Sequence, residues 1–368
     1  MKKSLVALTV AAIAASGANA ATLFNQNGSK LDVTGSARVM LVNQTGSRTD
    51  LQNDGSRVNF KFTQAISDDL SALGHIEIRP SGEDFGGGIT TKYVYAGLES
   101  KSVGELTFGK RKTAGDNFTL ADPTEQFTNV KGAVGLTTNA QKVINFTSSD
   151  YYGFGLQASY IFDNSAAKRS DVVKTDANGN SVTVDTRDGD ANAWQALLTY
   201  NVDLAQDVSM QAHALYAIQK ATNKDDQSNT VSNKIWGLST GLNAYNFGLA
   251  VDYLHAKQNS NNTAAFMSYM SQSNKDTTIN AKEAKAFQVA ATYQVTDPMD
   301  VYAVFHQFKY KGVEGVNGAN VRLRGFSLGS HYQINKNVLT YVEYDSNKAN
   351  MSDAKRDNKF YAGLRVFF

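Results

Sequence analysis

Short stretches in which apolar and polar residues alternate recur along the chain, and the gaps between them switch between short and long. In the first stretch Leu31, Val33, Ala37, Val39 and Leu41 share one parity, while Asp32, Thr34, Ser36 and Arg38 share the other. In the second, Val58, Phe60 and Phe62 oppose Arg57, Asn59, Lys61 and Thr63; in the third, Leu70, Ala72, Ile76 and Ile78 oppose Ser71, His75, Glu77 and Arg79. A repeat of two is the period of a pleated strand with unlike faces. The same count predicts further strands near 91–99, 104–112, 140–148, 153–162, 192–201, 207–219, 233–243, 246–257, 285–295, 299–310, 320–334, 337–346 and 357–368, sixteen in all. Within the strand at 320–334, Val321 to Arg324 breaks the parity. Every second connection is short, as at Ser67-Asp68-Asp69 or Ala244-Tyr245; the others are long and polar, near 44–55, 81–90, 113–139, 163–191, 220–232, 258–284, 311–319 and 347–356. These are loops L1 to L8.

Alternation alone does not say which face is covered, since a soluble sandwich would bury Val33 and Phe60 and wet Arg38 equally well. The number of strands decides. A closed barrel of sixteen is wider than side chains can fill and leaves an aqueous channel, so its polar face is the inner one. Strands of about 9 to 11 residues have the length a tilted membrane strand needs. Turning the other face outward would cost roughly 2 to 4 kcal/mol for each Arg or Lys near the midplane. With Arg38, Lys61 and Arg365 on that face, the penalty would approach a typical domain's whole stability of about 5 to 15 kcal/mol. The expected fold is therefore all-β, a sixteen-stranded antiparallel transmembrane β-barrel. Tyr151, Tyr152, Phe162, Tyr200, Tyr245, Phe247, Tyr253, Tyr293, Tyr332 and Tyr344 fall near strand ends, where interfacial aromatic girdles form.

The first twenty residues do not join this pattern. Lys2 and Lys3 give a basic start, Leu5 to Ala15 an apolar stretch, and Ala18-Asn19-Ala20 a small-residue cleavage site, so 1–20 are expected to be a signal peptide cut between Ala20 and Ala21, and 21–368 the barrel. Removing two lysines from the 36 basic residues leaves 34 against 34 acids. A neutral chain lacks the pronounced basic face that nucleic-acid phosphates favour. No cysteine is present, so no disulfide staples the fold. Two of the three prolines, Pro80 and Pro298, lie at strand ends, where a missing N–H does least harm. An exported barrel of this kind belongs in the bacterial outer membrane, and its long loops share one rim.

Four strings carry a resemblance: Gly55-Ser56-Arg57 opening the second strand, Thr91-Lys92-Tyr93-Val94-Tyr95 in the fourth, Phe108-Gly109-Lys110 closing the fifth, and the terminus Gly363-Leu364-Arg365-Val366-Phe367-Phe368. With them the whole chain resembles the general diffusion porins of the gram-negative outer membrane, and its segments are similar to porins of the Haemophilus and Pasteurella type. The resemblance implies passive diffusion of small hydrophilic solutes and ions, with no cofactor. It also implies a homotrimer with one pore per subunit, set among outer-membrane lipid and lipopolysaccharide. Phe368 would be the signal read by the barrel-assembly machinery. L3 would fold inward to narrow the channel, and its acids Asp116, Asp122 and Glu125 would lie near the constriction, although Asp122-Pro123-Thr124-Glu125-Gln126-Phe127 departs from the relatives' Pro-Glu-Phe-Gly-Gly string. The sixth strand offers Asn145 and Thr147 where relatives carry a wall arginine.

Lumen parity places Arg38, Arg57, Lys61 and Arg79 on the first three strands, with Arg365 beside them once the barrel closes. Lys110 and Arg111 join this basic wall where the fifth strand runs into L3, Arg111 alone having lumen parity. Acids on L3 facing such a wall would set a transverse field across a narrow aqueous gap. Glu77, Glu99, Glu105, Asp252 and Glu343 share the inner face and would balance the arginines. An enzyme is disfavoured because His75, His213, His255, His306 and His331 sit on five different strands without a nucleophile-elbow or metal-spaced motif. Tyr93, Tyr95, Tyr302, Tyr341 and Tyr361 do not form the graded aromatic slide of a sugar channel. A substrate-specific channel, or an added adhesin or receptor role through the polar loops L4 and L6, stays open as an alternative.

Overall fold

The computed structural model describes residues 21–126, 130–162, 170–175, 181–186, 191–222, 230–259, 267–270, 276–279, 281–313, 320–350 and 355–368; the expected leader, 1–20, lies outside them. Sixteen strands form one closed antiparallel sheet in chain order. They are β1 Ser29–Gln44, β2 in two pieces, Asp50–Asn53 and Arg57–Ala65, β3 Leu70–Pro80, β4 Ile89–Ser100, β5 Gly104–Lys112 and β6 Asn139–Ser148. Next come β7 Phe154–Ile161, β8 Ala191–Ala205, β9 Val208–Thr222, β10 Thr230–Ala244 and β11 Phe247–Gln258. The last are β12 Glu283–Thr296, β13 Met299–Lys311, β14 Val321–Asn335, β15 Val338–Ala349 and β16 Asp357–Phe367.

Closure runs through β1, which meets both pieces of β2 on one edge and β16 on the other, with Ser36 opposite Phe367 and Gln44 opposite Lys359. Gly35 and Phe368 then exchange N–H···O bonds of 2.8 and 3.0 Å. A Cβ at Gly35 would fall 2.4 Å from the Phe368 ring, so only glycine lets the terminus seat there. Ala21–Gln26, which the alternation did not announce as a strand, pairs with Ser29 to Val33 along the same edge as β16. L4 and L6 each carry a hairpin of their own, Ser170–Thr175 with Ser181–Thr186 and Met267–Met270 with Asp276–Ile279.

Most of the wall is inside out. Leu238 on the outer face is 57% exposed, while Asp252, across the ladder beside it, is fully buried. Phe62, Leu98, Phe108, Leu156, Leu249, Leu328 and Val342 likewise face outward, whereas Glu77, Asn145, Gln195, Gln288 and Glu343 face inward and are buried. The exposed apolar band is the surface that hydrocarbon covers.

Towards the long-loop ends of β10 to β15 the faces exchange characters. Ile235, Leu254, Phe308, Tyr310, Val321 and Leu323 point inward and are buried against Phe118, Val130, Val134 and Leu136 of L3. The register puts Lys285, Lys309, Arg322, Arg324 and Lys348 on the outer face there. The parity break at Val321 to Arg324 is this exchange, and it corrects the rule that every apolar strand residue meets lipid. Above the hydrocarbon band the outer face is wet, and burial is available only inside, against the loop.

Candidate pore constriction

L3 leaves β5 as a short 3-10 turn, Ala114–Asn117, and makes one α-turn, Val130–Ala133, before β6. Its backbone bonds the polar side chains that strand alternation turns inward. The Ala114 and Gly115 N–H groups donate to Ser159 and Gln195, each at 2.8 Å. Asp252 accepts from two successive amides, Leu120 at 3.1 Å and Ala121 at 3.2 Å, and Glu343 does the same for Glu125 at 2.7 Å and Gln126 at 3.2 Å. Gln195 and Gln219 donate to Thr137 and Gly135 on the return limb. A carboxylate that satisfies two buried N–H groups makes charge-assisted bonds, the strong class. Alternation placed Asp252 and Glu343 correctly; it had given them the task of balancing arginines, whereas each ties down backbone.

Opposite this loop, a cavity of about 1180 Å³ runs along β1 to β5 and β16. Arg38, Arg57, Lys61, Arg79, Arg111 and Arg365 all line it, with Asp116 and Glu125 from L3. Lys110 does not: it stands opposite Val94 on the outer face, its Nζ 2.6 Å from the Thr91 carbonyl. Strict alternation from Arg111 requires this, so the grouping of Lys110 with the wall is corrected. Asp122 also lies outside the cavity lining, its Oδ1 accepting the Thr124 hydroxyl at 2.9 Å.

The break in β2 builds part of the wall. Gly55 takes a φ of +71°, and the Ser56 hydroxyl accepts the Arg38 N–H at 2.9 Å, which gives the Gly55-Ser56-Arg57 string a structural meaning. The turn also projects Asp54 towards β16, where Arg365 holds it at 2.7 Å. Arg365 simultaneously pairs with Glu125 at the loop tip and lies over the Tyr341 ring at 4.9 Å. Tyr341 in turn fills the space above Gly363, where a Cβ would fall 2.0 Å from its ring, and donates to Asp54 at 3.2 Å. His331 stands between Glu125 at 3.2 Å and Asp300 at 2.8 Å. Burial pushes the Glu125 carboxyl up, but the His331 hydrogen bond and the Arg365 charge outweigh it and hold it down to about 2. Asp116 is also held below the usual carboxylate range, burial being outweighed by Lys131 and Lys112.

Two of the three acids expected to face the basic wall across a gap, Asp116 and Glu125, are therefore in contact with cations. Arg365 pairs with Glu125 and Asp54, Arg79 with Glu77, and Arg111 with Glu105 at 2.9 Å. Among the described residues no carboxylate lies within ion-pair distance of Arg38, Arg57 or Lys61; the Arg38 and Arg57 Nε atoms bond the Ser36 hydroxyl and the Gly55 carbonyl. Including Lys30, Lys92 and Lys112, the cavity lining holds nine Lys and Arg against six Asp and Glu. Lys92 and Asp54 belong to it and escaped the sequence reading of the site, although Lys92 sits inside the string that carried the family resemblance.

Comparison with known proteins bears on the whole chain. Residues 7–352 match a family described as Gram-negative porin. A "Major outer membrane protein" of Pasteurella multocida is 32% identical over the full length of both chains, and "Outer membrane porin C" of Salmonella typhimurium is 25% identical over 97% of this chain and 96% of its own. Among solved structures, OmpF of Salmonella typhi superposes with a TM-score of 0.70 at 18% identity, covering 94% of this chain and 99% of that one. The trimer form of OmpT, an outer membrane protein of Vibrio cholerae, gives 0.69 at 17% identity over 93% and 100%.

Proposed function

The chain belongs to the Gram-negative porins and is an outer-membrane diffusion channel, and on that premise we propose that its passage is set by L3 lying inside the barrel against the β8–β15 wall, which leaves a basic slot along β1 to β5 and β16. The observation that carries this reading is the set of cations without ion pairs among the described residues, Arg38, Arg57 and Lys61, facing the cavity that the tip of L3 also lines. A narrow water-filled slot with fixed positive charge enriches anions near the wall without binding them tightly, and conduction needs entry and ready exit. Arg79, Arg111, Arg365 and the paired acids Asp116 and Glu125 shape the slot more than they charge it. Apolar solutes are resisted because they must displace water oriented by these charges. The activity is that of a channel rather than an enzyme.

The same reading includes a homotrimer with a pore in each subunit, removal of 1–20 between Ala20 and Ala21 on export, and recognition of Phe368 by the assembly machinery. The trimer form reported for the Vibrio cholerae protein and the seat of Phe368 on Gly35 support it. Reversal potentials under a salt gradient in planar bilayers test the slot. The triple variant Arg38→Gln, Arg57→Gln, Lys61→Gln should shift the reversal potential towards cation preference by several millivolts or more, with three-step closure retained; an unchanged potential refutes the assignment of the wall.

A further inference from the structure

An acid stands in the middle of the basic wall, and the slot as described gives it no task. Asp54 follows Asn53 at the break in β2, where the chain leaves the ladder and lines the cavity. Asn53 fixes that turn from two sides: its N–H donates to the Glu83 carbonyl of L2 at 2.7 Å, and its Oδ1 accepts the Ser56 N–H at 3.0 Å. The Asp54 N–H itself donates to the Arg38 carbonyl of β1 at 3.1 Å. With its backbone held by β1 and L2, the Asp54 side chain is set in one place, and it is only 9% exposed.

That carboxylate is where the tip of L3 meets the wall. The Gln126 Nε2 donates to Asp54 Oδ1 at 2.6 Å, while the Arg365 Nε and the Tyr341 hydroxyl donate to Oδ2 at 2.8 and 3.2 Å. Gln126 is thus tied twice, its main-chain N–H to Glu343 on β15 and its side chain to the β2 turn. At the far end of the same loop segment, Lys112 of β5 holds Asp116 at 2.7 Å. The stretch of L3 that faces the cavity is therefore fastened to the basic wall at both of its ends, and the slot is a closed ring rather than a cleft. Arg365, for its part, lies between two carboxylates, Asp54 and Glu125. With Asp54 uncharged, the guanidinium would keep one acid and add to the positive field of Arg38, Arg57 and Lys61.

We propose that Asp54 is a specificity-determining residue of the channel: through Gln126 it holds the calibre of the slot, and through Arg365 it limits the slot's positive charge. The role rests on the reading of the cavity as a basic slot, and the two fail differently. Planar bilayers holding the full-length protein give the chloride-to-potassium permeability ratio, and liposome swelling gives the entry rate of a trisaccharide. Asp54→Asn keeps the shape of the side chain and removes its charge, so the ratio should rise roughly twofold. Asp54→Glu should keep the wild-type ratio, and Asp54→Asn combined with Arg365→Gln should return to it. Gln126→Ala breaks the joint without changing any charge, and should speed trisaccharide entry at least about twofold with the ratio unaltered. A ratio unchanged in Asp54→Asn, while the Arg38, Arg57 and Lys61 variant shifts as expected, overturns the role and spares the slot; no shift in either variant removes slot and role together. Unchanged trisaccharide entry in Gln126→Ala overturns the role as well. So does a double variant as anion-preferring as Asp54→Asn alone, or an equal rise of the ratio in Asp68→Asn, on a turn of the opposite rim.

Discussion

Acidification should release the tip of L3, and the size of the effect follows from one carboxylate. Glu125 sits between Arg365 and His331 with its side chain 10% exposed and is held down to about 2. A solvated glutamate titrates near 4.3. A carboxyl whose pKa is depressed in the docked loop contributes docking energy that is complete above about 4.3 and is lost as pH falls towards about 2. The gap is worth about 3 kcal/mol, on the order of a hundredfold in the docked-to-released ratio. Asp116, held down by Lys131 and Lys112, adds to the loss in the same direction. Single channels recorded from pH 7 to pH 2.5 should therefore keep a quiet open state to about pH 4 and grow noisier, with larger mean conductance, below it. Glu125→Gln should be noisy already at pH 7 and show a flatter acid limb. If the wild type stays quiet to pH 2.5, or if the two proteins have superimposable pH profiles, the latch described for Glu125 is wrong.

Other consequences are open to direct measurement. Asp252→Asn or Glu343→Gln replaces one of two accepting oxygens by a donor facing a backbone N–H, a loss of about 1.5 to 3 kcal/mol. Trypsin should then cut after Lys131 at least tenfold faster than in the wild type, and an equally resistant loop argues against the anchoring role. Leu328→Arg on the outer face near the middle of β14 should lower stability in lipid vesicles by about 2 to 4 kcal/mol in denaturant titrations; a change under about 0.5 kcal/mol would place that position out of hydrocarbon. Gly363→Val drives a methyl-bearing carbon into the Tyr341 ring and should cost about 1 to 3 kcal/mol, read as a lower heat-dissociation midpoint on gels. A midpoint equal to the wild type would mean that Tyr341 moves without consequence.

Much of the barrel was legible because a period of two is a local property. Arg38, Lys61 and Arg79 were placed in the lumen from their immediate neighbours, and sixteen strands alone turned the polar face inward. The same alternation, followed one residue further, excludes Lys110. Two features escaped for physical reasons. The pairing of Arg365 with both Glu125 and Asp54 joins residues far apart in sequence, and nothing local marks an acid as a partner rather than a free charge. The exchange of faces near Val321 appeared only as a broken pattern, because its cause is the apolar underside of L3 rather than anything in β14 itself. Asp252 and Glu343 carried the right orientation without any sign that their partners would be main-chain amides.

In the proposed channel the apolar cluster beneath L3 makes the aqueous path eccentric. Phe118, Leu197, Ile235 and Leu254 never meet a permeating ion, yet their bulk determines how far the loop stands from the wall that bears Arg38 and Arg57. Calibre can thus be retuned by methyl groups, in either direction, with every charge left in place, and strand number becomes a poor guide to what such a hoop lets through.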